Sequence, residues 1–139
     1  MHRARAFHGA VGLTDGRVLV AGGVWASGSL GANQQAPLGP PPSLASCEVF
    51  SPTTKQWTET GPLNVPVYAP TLLELQDRRV MIEGRLGAGD GMPSRPEIWN
   101  PKTNRWTPTG AKPREDGPCV PLLLKGGEVL SCSYAWKAN

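Results

Sequence analysis

The chain has 139 residues, 18% of them charged, with a net charge of +3, a length suited to one ordinary domain. Its 14 Lys and Arg are scattered, so neither the basic stripe of a nucleic-acid binder nor a like-charged tail is present in the sequence. No stretch approaches the roughly 20 apolar residues that span a bilayer. The opening MHRARAFHGAVGL has positive charge followed by small apolar residues and faintly resembles a signal peptide, but its apolar part is short and ends at Asp15-Gly16, so a signal peptide is not expected. No nucleic-acid partner and no membrane span are expected, and the compartment is left open.

Gly (17) and Pro (15) are abundant, as in disordered chains, but they punctuate apolar runs at regular places, and five Trp oppose disorder. Many short strands joined by turns fit better. In chain order, a first strand is expected over approximately Ala6–Leu13, followed by a tight hairpin at Asp15-Gly16, where Gly tolerates positive φ. A second strand, Arg17–Ala21, is apolar on both faces, as in a strand packed between layers. The segment Val24–Ser46, rich in Gly, Pro, Ser, Ala and Gln and containing Trp25, is expected to be a loop. A third strand follows at Cys47–Phe50, then a turn at Ser51-Pro52-Thr53-Thr54 and a fourth strand, Gln56–Thr60, around Trp57. No helical period of useful length is present.

The chain then repeats itself. CEVFSPTTKQWTETG (47–61) superposes without gaps on PEIWNPKTNRWTPTG (96–110). Glu48 matches Glu97, Pro52 matches Pro101, Thr54 matches Thr103, Trp57 matches Trp106 and Gly61 matches Gly110, each 49 positions on (97 − 48). A preceding pattern occurs three times, aligning Val18, Val80 and Val129. The step from Val80 to Val129 is again 49, whereas that from Val18 to Val80 is 62. The 13 extra residues (62 − 49) all lie between Gly23 and Glu48. Repeat one spans 3–63, repeat two 64–111 and a half repeat 112–135. Four short antiparallel strands per unit of about 50 residues is a propeller-blade pattern, and such units bury their faces only against neighbours in series.

These motifs resemble the kelch-repeat family, most closely its bacterial members with a galactose-oxidase-like propeller. Val18-Leu19-Val20-Ala21-Gly22-Gly23, Glu48, Phe50 and Trp57 occupy the places of the apolar run, the double glycine, the acidic residue, the aromatic and the Trp, and Arg5-x-x-His8 resembles the start of such repeats. The resemblance implies an all-β fold of kelch-type blades, each of four antiparallel strands, here about two and a half blades. Departures are Glu83-Gly84-Arg85 and Ser133-Tyr134 at the double glycine, and Asp77-Arg78 at the hairpin, which costs of order 1 kcal/mol if the turn is kept. Propellers close with four to eight blades. The chain is therefore expected to be part of a longer propeller, with Met1 internal or a misassigned start, or to complete itself by assembly. Its remaining partners would then be further blades in the same chain or other copies.

A galactose-oxidase-like copper site, as the resemblance implies it, uses Tyr, His and a thioether-linked Cys. Tyr68, Tyr134, His2, His8, Cys47, Cys119 and Cys132 are the available side chains. The repeat alignment sets His8 against Pro70 and Cys119, Tyr68 against Ala6, and Tyr134 against Gly23, so they form no constellation. His8 reads as a hydrogen-bonded structural residue, and the cysteines as free thiols without a C-x-x-C pair. Glu48 and Glu97 read as structural carboxylates, and Trp57 and Trp106 as packing between blades. Gly87-Ala88-Gly89-Asp90-Gly91 lacks the GK[ST] ending of a phosphate loop. No catalytic residue, metal ligand or cofactor is assigned. Insertions in repeat proteins map to one face, often the binding face, and Trp and Arg are frequent anchors. Trp25, Arg85, Asp90 and Arg95, on the insertion and its counterpart in repeat two, are therefore the partner-contact candidates. The expected function is a non-catalytic module that binds a protein or glycan through its loops. The alternative is a piece of a galactose-oxidase-like or sugar-processing enzyme whose active site lies mostly outside the segment.

Overall fold

The computed structural model describes residues 1–25, 42–86, 95–110 and 119–133. Among these residues the chain is all-β, with no helix. Strands β2 (Gly9–Gly12), β3 (Val18–Ala21), β5 (Cys47–Ser51) and β6 (Gln56–Glu59) form one four-stranded antiparallel sheet in that order. Strands β7 (Val67–Glu74), β8 (Val80–Leu86), β9 (Glu97–Asn100) and β10 (Arg105–Pro108) form a second with the same order. A third sheet pairs β11 (Cys119–Leu123) with β12 (Val129–Ser133). A short ribbon joins β1 (Arg5–Ala6) to β4 (Val24–Trp25). No closed ring of sheets is present among the described residues.

Each hairpin joining the first and second strands has one geometry. Gly16 N–H donates to Leu13 O (2.8 Å) and Leu13 N–H to Arg17 O (2.7 Å), and the same two bonds recur at Leu75, Arg78 and Arg79 and at Leu124, Gly127 and Glu128. This pattern is a turn followed by a one-residue bulge in the left-handed region, and at Asp15-Gly16 it is the glycine of the expected tight hairpin that takes the positive φ. Gly16 (φ 86°), Arg78 (φ 69°) and Gly127 (φ 92°) occupy the left-handed position. Repeat two thus keeps the turn even where Arg replaces Gly. Asp15 and Asp77 brace it by accepting from the N–H groups of Arg17 and Arg79.

The first strand expected over Ala6–Leu13 is broken at Phe7, whose φ of 52° ends β1 before β2 begins. Ala69, its counterpart, also has positive φ (44°), and its N–H donates to Phe7 O. The second strands absorb this kink differently. In repeat one, Gly22 (φ 66°) and Gly23 (φ 88°) end β3, and the paired ribbon resumes with Arg5 opposite Trp25. In repeat two, Glu83-Gly84-Arg85 stays extended, β8 runs on to Leu86, and the extra residue becomes a bulge in β7 between Tyr68 and Thr71. The missing double glycine therefore shifts the register at the sheet end by one residue.

The sheets pack through their first strands: β2 lies against β7, and β7 and β8 lie against β11. Gly9 permits the first approach, because a Cβ there would lie 2.6 Å from Pro70 O and would collide with the Leu72 side chain. Leu13, Leu19, Val49, Leu63, Val67, Leu72, Val80, Ile82, Trp99 and Trp106 form one core across the first two sheets. Complete burial of a side chain such as Leu19 contributes about 2 kcal/mol. Trp57 and Trp106 each face the aromatic directly across their own hairpin, Phe50 (5.1 Å between centroids) and Trp99 (6.3 Å). Their repetition therefore reflects cross-strand pairing within a sheet, an element the expectation of packing between sheets did not contain. Polar bonds also tie the sheets together: Thr14 donates to Glu74, Gln76 to Lys125 O, and Gly61 N–H to Asn104.

Candidate functional site

The repeated glutamates are the most deeply buried charged groups of the third strands, at 1% (Glu48) and 2% (Glu97) exposure. Glu48 accepts from the backbone N–H of His2 (2.6 Å) and Arg3 (3.4 Å), and from Arg5 Nη2 (2.8 Å). Glu97 accepts from the backbone N–H of Asn64 (3.0 Å) and Val65 (3.3 Å), and from Asn64 Nδ2 (2.7 Å). His2 and Arg3 are the counterparts of Asn64 and Val65 in the repeat. Each carboxylate thus holds down the segment leading into the first strand of its own sheet. Arg5 fills a position taken by Val67 in repeat two, and its buried guanidinium also donates to Gly22 O and to Ser46 O and Oγ. Burial works to raise the Glu48 pKa, but hydrogen bonds from His2, Arg5 and Arg3 outweigh it and hold the carboxyl below its usual range. These groups are occupied in structure, as expected for Glu48 and Glu97.

The other chemistry-bearing side chains do not gather. Among the described residues no group of three or more His, Cys, Asp or Glu is arranged to hold a metal. Cys47 is buried, and burial pushes its thiol up to about 12. His8, expected to be a hydrogen-bonded structural residue, is exposed with no side-chain hydrogen bond among the described residues, although its backbone packs closely against Gly23. An open recess of about 330 Å³ lies along Arg79, Ile98, Asn100, Thr103, Thr107 and Thr109, but Arg79 there is already paired with Asp77.

Three of the four partner-contact candidates are described. Trp25 ends the β1–β4 ribbon at 56% exposure, opposite Arg5. Arg85 lies in β8 directly opposite Tyr68, half-buried, and its Nε is buried without a hydrogen-bond partner among the described residues. Arg95 is exposed just before β9. Asp90 lies outside the described residues, as does most of the Val24–Ser46 insertion, although Val24 and Leu44, expected in a loop, make β-bridges to Ser43 and Val67. The strand directions put Trp25, Arg85 and Arg95 at the same end of their sheets, where second strands finish and third strands begin.

Two further residues occur at that end without having been assigned a role from sequence. Phe7 is 62% exposed, and its ring lies 5.3 Å from that of Tyr68, tilted by 47°. Tyr68 in turn shares a face with Arg85, as directly opposed residues of an antiparallel pair do. The available sequence signal is asymmetry. Phe7 aligns with Ala69, Tyr68 with Ala6, Arg85 with Gly23, and Trp25 lies in the unrepeated insertion. The residues that recur in register hold the sheets together, whereas the exposed aromatics stand where the repeats differ. No protein-family model and no curated protein matches the chain.

Proposed function

We propose that the chain is a section of kelch-type propeller acting as a non-catalytic interaction module, which binds a protein or glycan through the loop-bearing end of its sheets. Three features support the architecture: the common strand order of two sheets, the packing of first strand on first strand, and the recurrence of one hairpin three times. The observation that carries the binding role is the unrepeated set at one end, the exposed Trp25 and Arg95 with the half-buried Arg85, whose Nε has no hydrogen-bond partner among the described residues. A bulky aromatic left in water gains nothing for the fold, and Trp and Arg supply disproportionate binding energy once desolvated by a partner. A glycan array probed with the purified chain and its Trp25→Ala and Arg95→Ala variants tests the role. Retained signal in the wild type with at least a fivefold loss in the variants is expected, their circular dichroism being unchanged. Binding indifferent to both substitutions would overturn it.

A further inference from the structure

We infer that Phe7, Tyr68 and Arg85 form a binding site for an acidic saccharide, with the pyranose ring of a uronate lying on the aromatic pair and its carboxylate on the Arg85 guanidinium. The inference rests on the binding role proposed above and specifies its ligand. Phe7 is held at φ 52°, a conformation that is a genuine outlier for a bulky residue and that marks functional sites when the surroundings enforce it. Here the Ala69 N–H on Phe7 O enforces it. The outcome is a Phe ring that is 62% exposed yet braced against Tyr68. Such a ring offers a π face, whose negative charge suits the C–H-lined face of a pyranose.

Arg85 supplies the second half of the site. It stands directly across the ladder from Tyr68, so its Cβ lies about 5 Å away, within the width of one sugar ring. Its guanidinium makes no hydrogen bond or ion pair among the described residues, whereas Arg5, Arg17 and Arg79 are all paired with carboxylates. The two repeated carboxylates at this end, Glu48 and Glu97, are buried and engaged by the chain segments they anchor. Neither is ion-paired with Arg85. A guanidinium whose terminal nitrogens carry no partner among the described residues, beside an aromatic platform, matches a carboxylate carried on a ring, because the guanidinium binds carboxylate in two parallel hydrogen bonds. A protein partner would need an interface of roughly 800 Å² per side, larger than two rings and a guanidinium present.

Calorimetric titration with an oligogalacturonate of four units, and separately with the neutral galactose tetramer, tests the site. The wild type is expected to bind the acidic probe at least tenfold more tightly. Arg85→Gln should abolish that preference, and Arg85→Lys should restore only part of it, since Lys lacks the planar fork. Phe7→Asn removes the ring while keeping a residue that tolerates the left-handed backbone, and should weaken both probes at least fivefold with the thermal transition unchanged or raised. Equal affinity for the two probes, an unaltered preference in Arg85→Gln, or no saturable binding of the acidic probe would each overturn the inference. In that event, glycan-array signals that still depend on Trp25 and Arg95 would leave the broader binding role standing, and their absence would remove it too.

Discussion

Arg78 holds a left-handed conformation that Gly occupies in both sister hairpins. An L-residue with a Cβ pays about 1 kcal/mol for that conformation. Arg78→Gly is therefore expected to raise stability slightly, by up to roughly 0.6 kcal/mol, most of the strain relief being offset by the greater freedom of Gly in the unfolded chain. A higher urea midpoint with an unchanged slope, measured at a concentration low enough to keep the chain monomeric, would show it. Cys47 gives a second residue-level expectation. Its thiol is pushed up to about 12 by burial, and the thiolate is the reactive species. In a Cys119→Ser/Cys132→Ser background, Cys47 should resist a disulfide-forming aromatic reagent at pH 8 until the protein is unfolded in denaturant. Prompt reaction in the native state would contradict its placement.

At the scale of strands, the buried glutamates join each third strand to the segment that leads into its own sheet. The Glu48 pKa is depressed in the folded state, so the carboxylate contributes stability above its unfolded value of roughly 4, and that contribution is lost as pH falls through the folded value. Acid should therefore lower the urea midpoint below about pH 4, and less steeply in Glu48→Gln, which keeps an acceptor but does not titrate. Glu48→Ala should cost more, about 3–5 kcal/mol, because it leaves the Arg5 charge buried and unpaired. Equal acid slopes in wild type and Glu48→Gln would refute this account. The double glycine acts at the same scale. Gly22 and Gly23 end β3 and let the chain turn beneath Val67, while Glu83-Gly84-Arg85 carries β8 onward and so delivers Arg85 to the face of Tyr68. The departure from the repeat pattern is thus the origin of the proposed site.

For the molecule as a whole, the third sheet differs from the other two in what covers it. Leu130 is 47% exposed, whereas its counterparts Leu19 and Met81 are 0% and 7% exposed. Leu122 is also exposed, at 56%. Apolar sheet faces and open strand edges associate. Sedimentation of the isolated chain should therefore show mass rising with concentration, and Leu122→Lys/Leu130→Lys should suppress it. Poorly cooperative unfolding should accompany the association. A concentration-independent monomer with a sharp two-state melt would contradict both expectations.

Strand existence and the 49-residue period were legible from sequence because each rests on local chemistry. Alternating and doubly apolar runs make strands, Gly and Pro punctuate them, and recurrence of Glu48, Trp57 and Gly61 at Glu97, Trp106 and Gly110 exposes the repeat. Three things were decided only by tertiary structure. The left-handed kink at Phe7 is imposed by the neighbouring first strand through Ala69, and nothing in a Phe-His dipeptide foretells it. The function of Glu48 and Glu97 depends on backbone N–H groups more than thirty residues away, a pairing no local pattern encodes. Tyr68 was visible but isolated in the alignment, and it acquires a partner only because β2 and β7 pack side by side. Sequence by itself determined the repeating sheets, since hydrogen-bonded strands obey short-range rules. The meeting of Phe7, Tyr68 and Arg85 arises where the two repeats break their own symmetry, and contact between sheets is what brings such residues together.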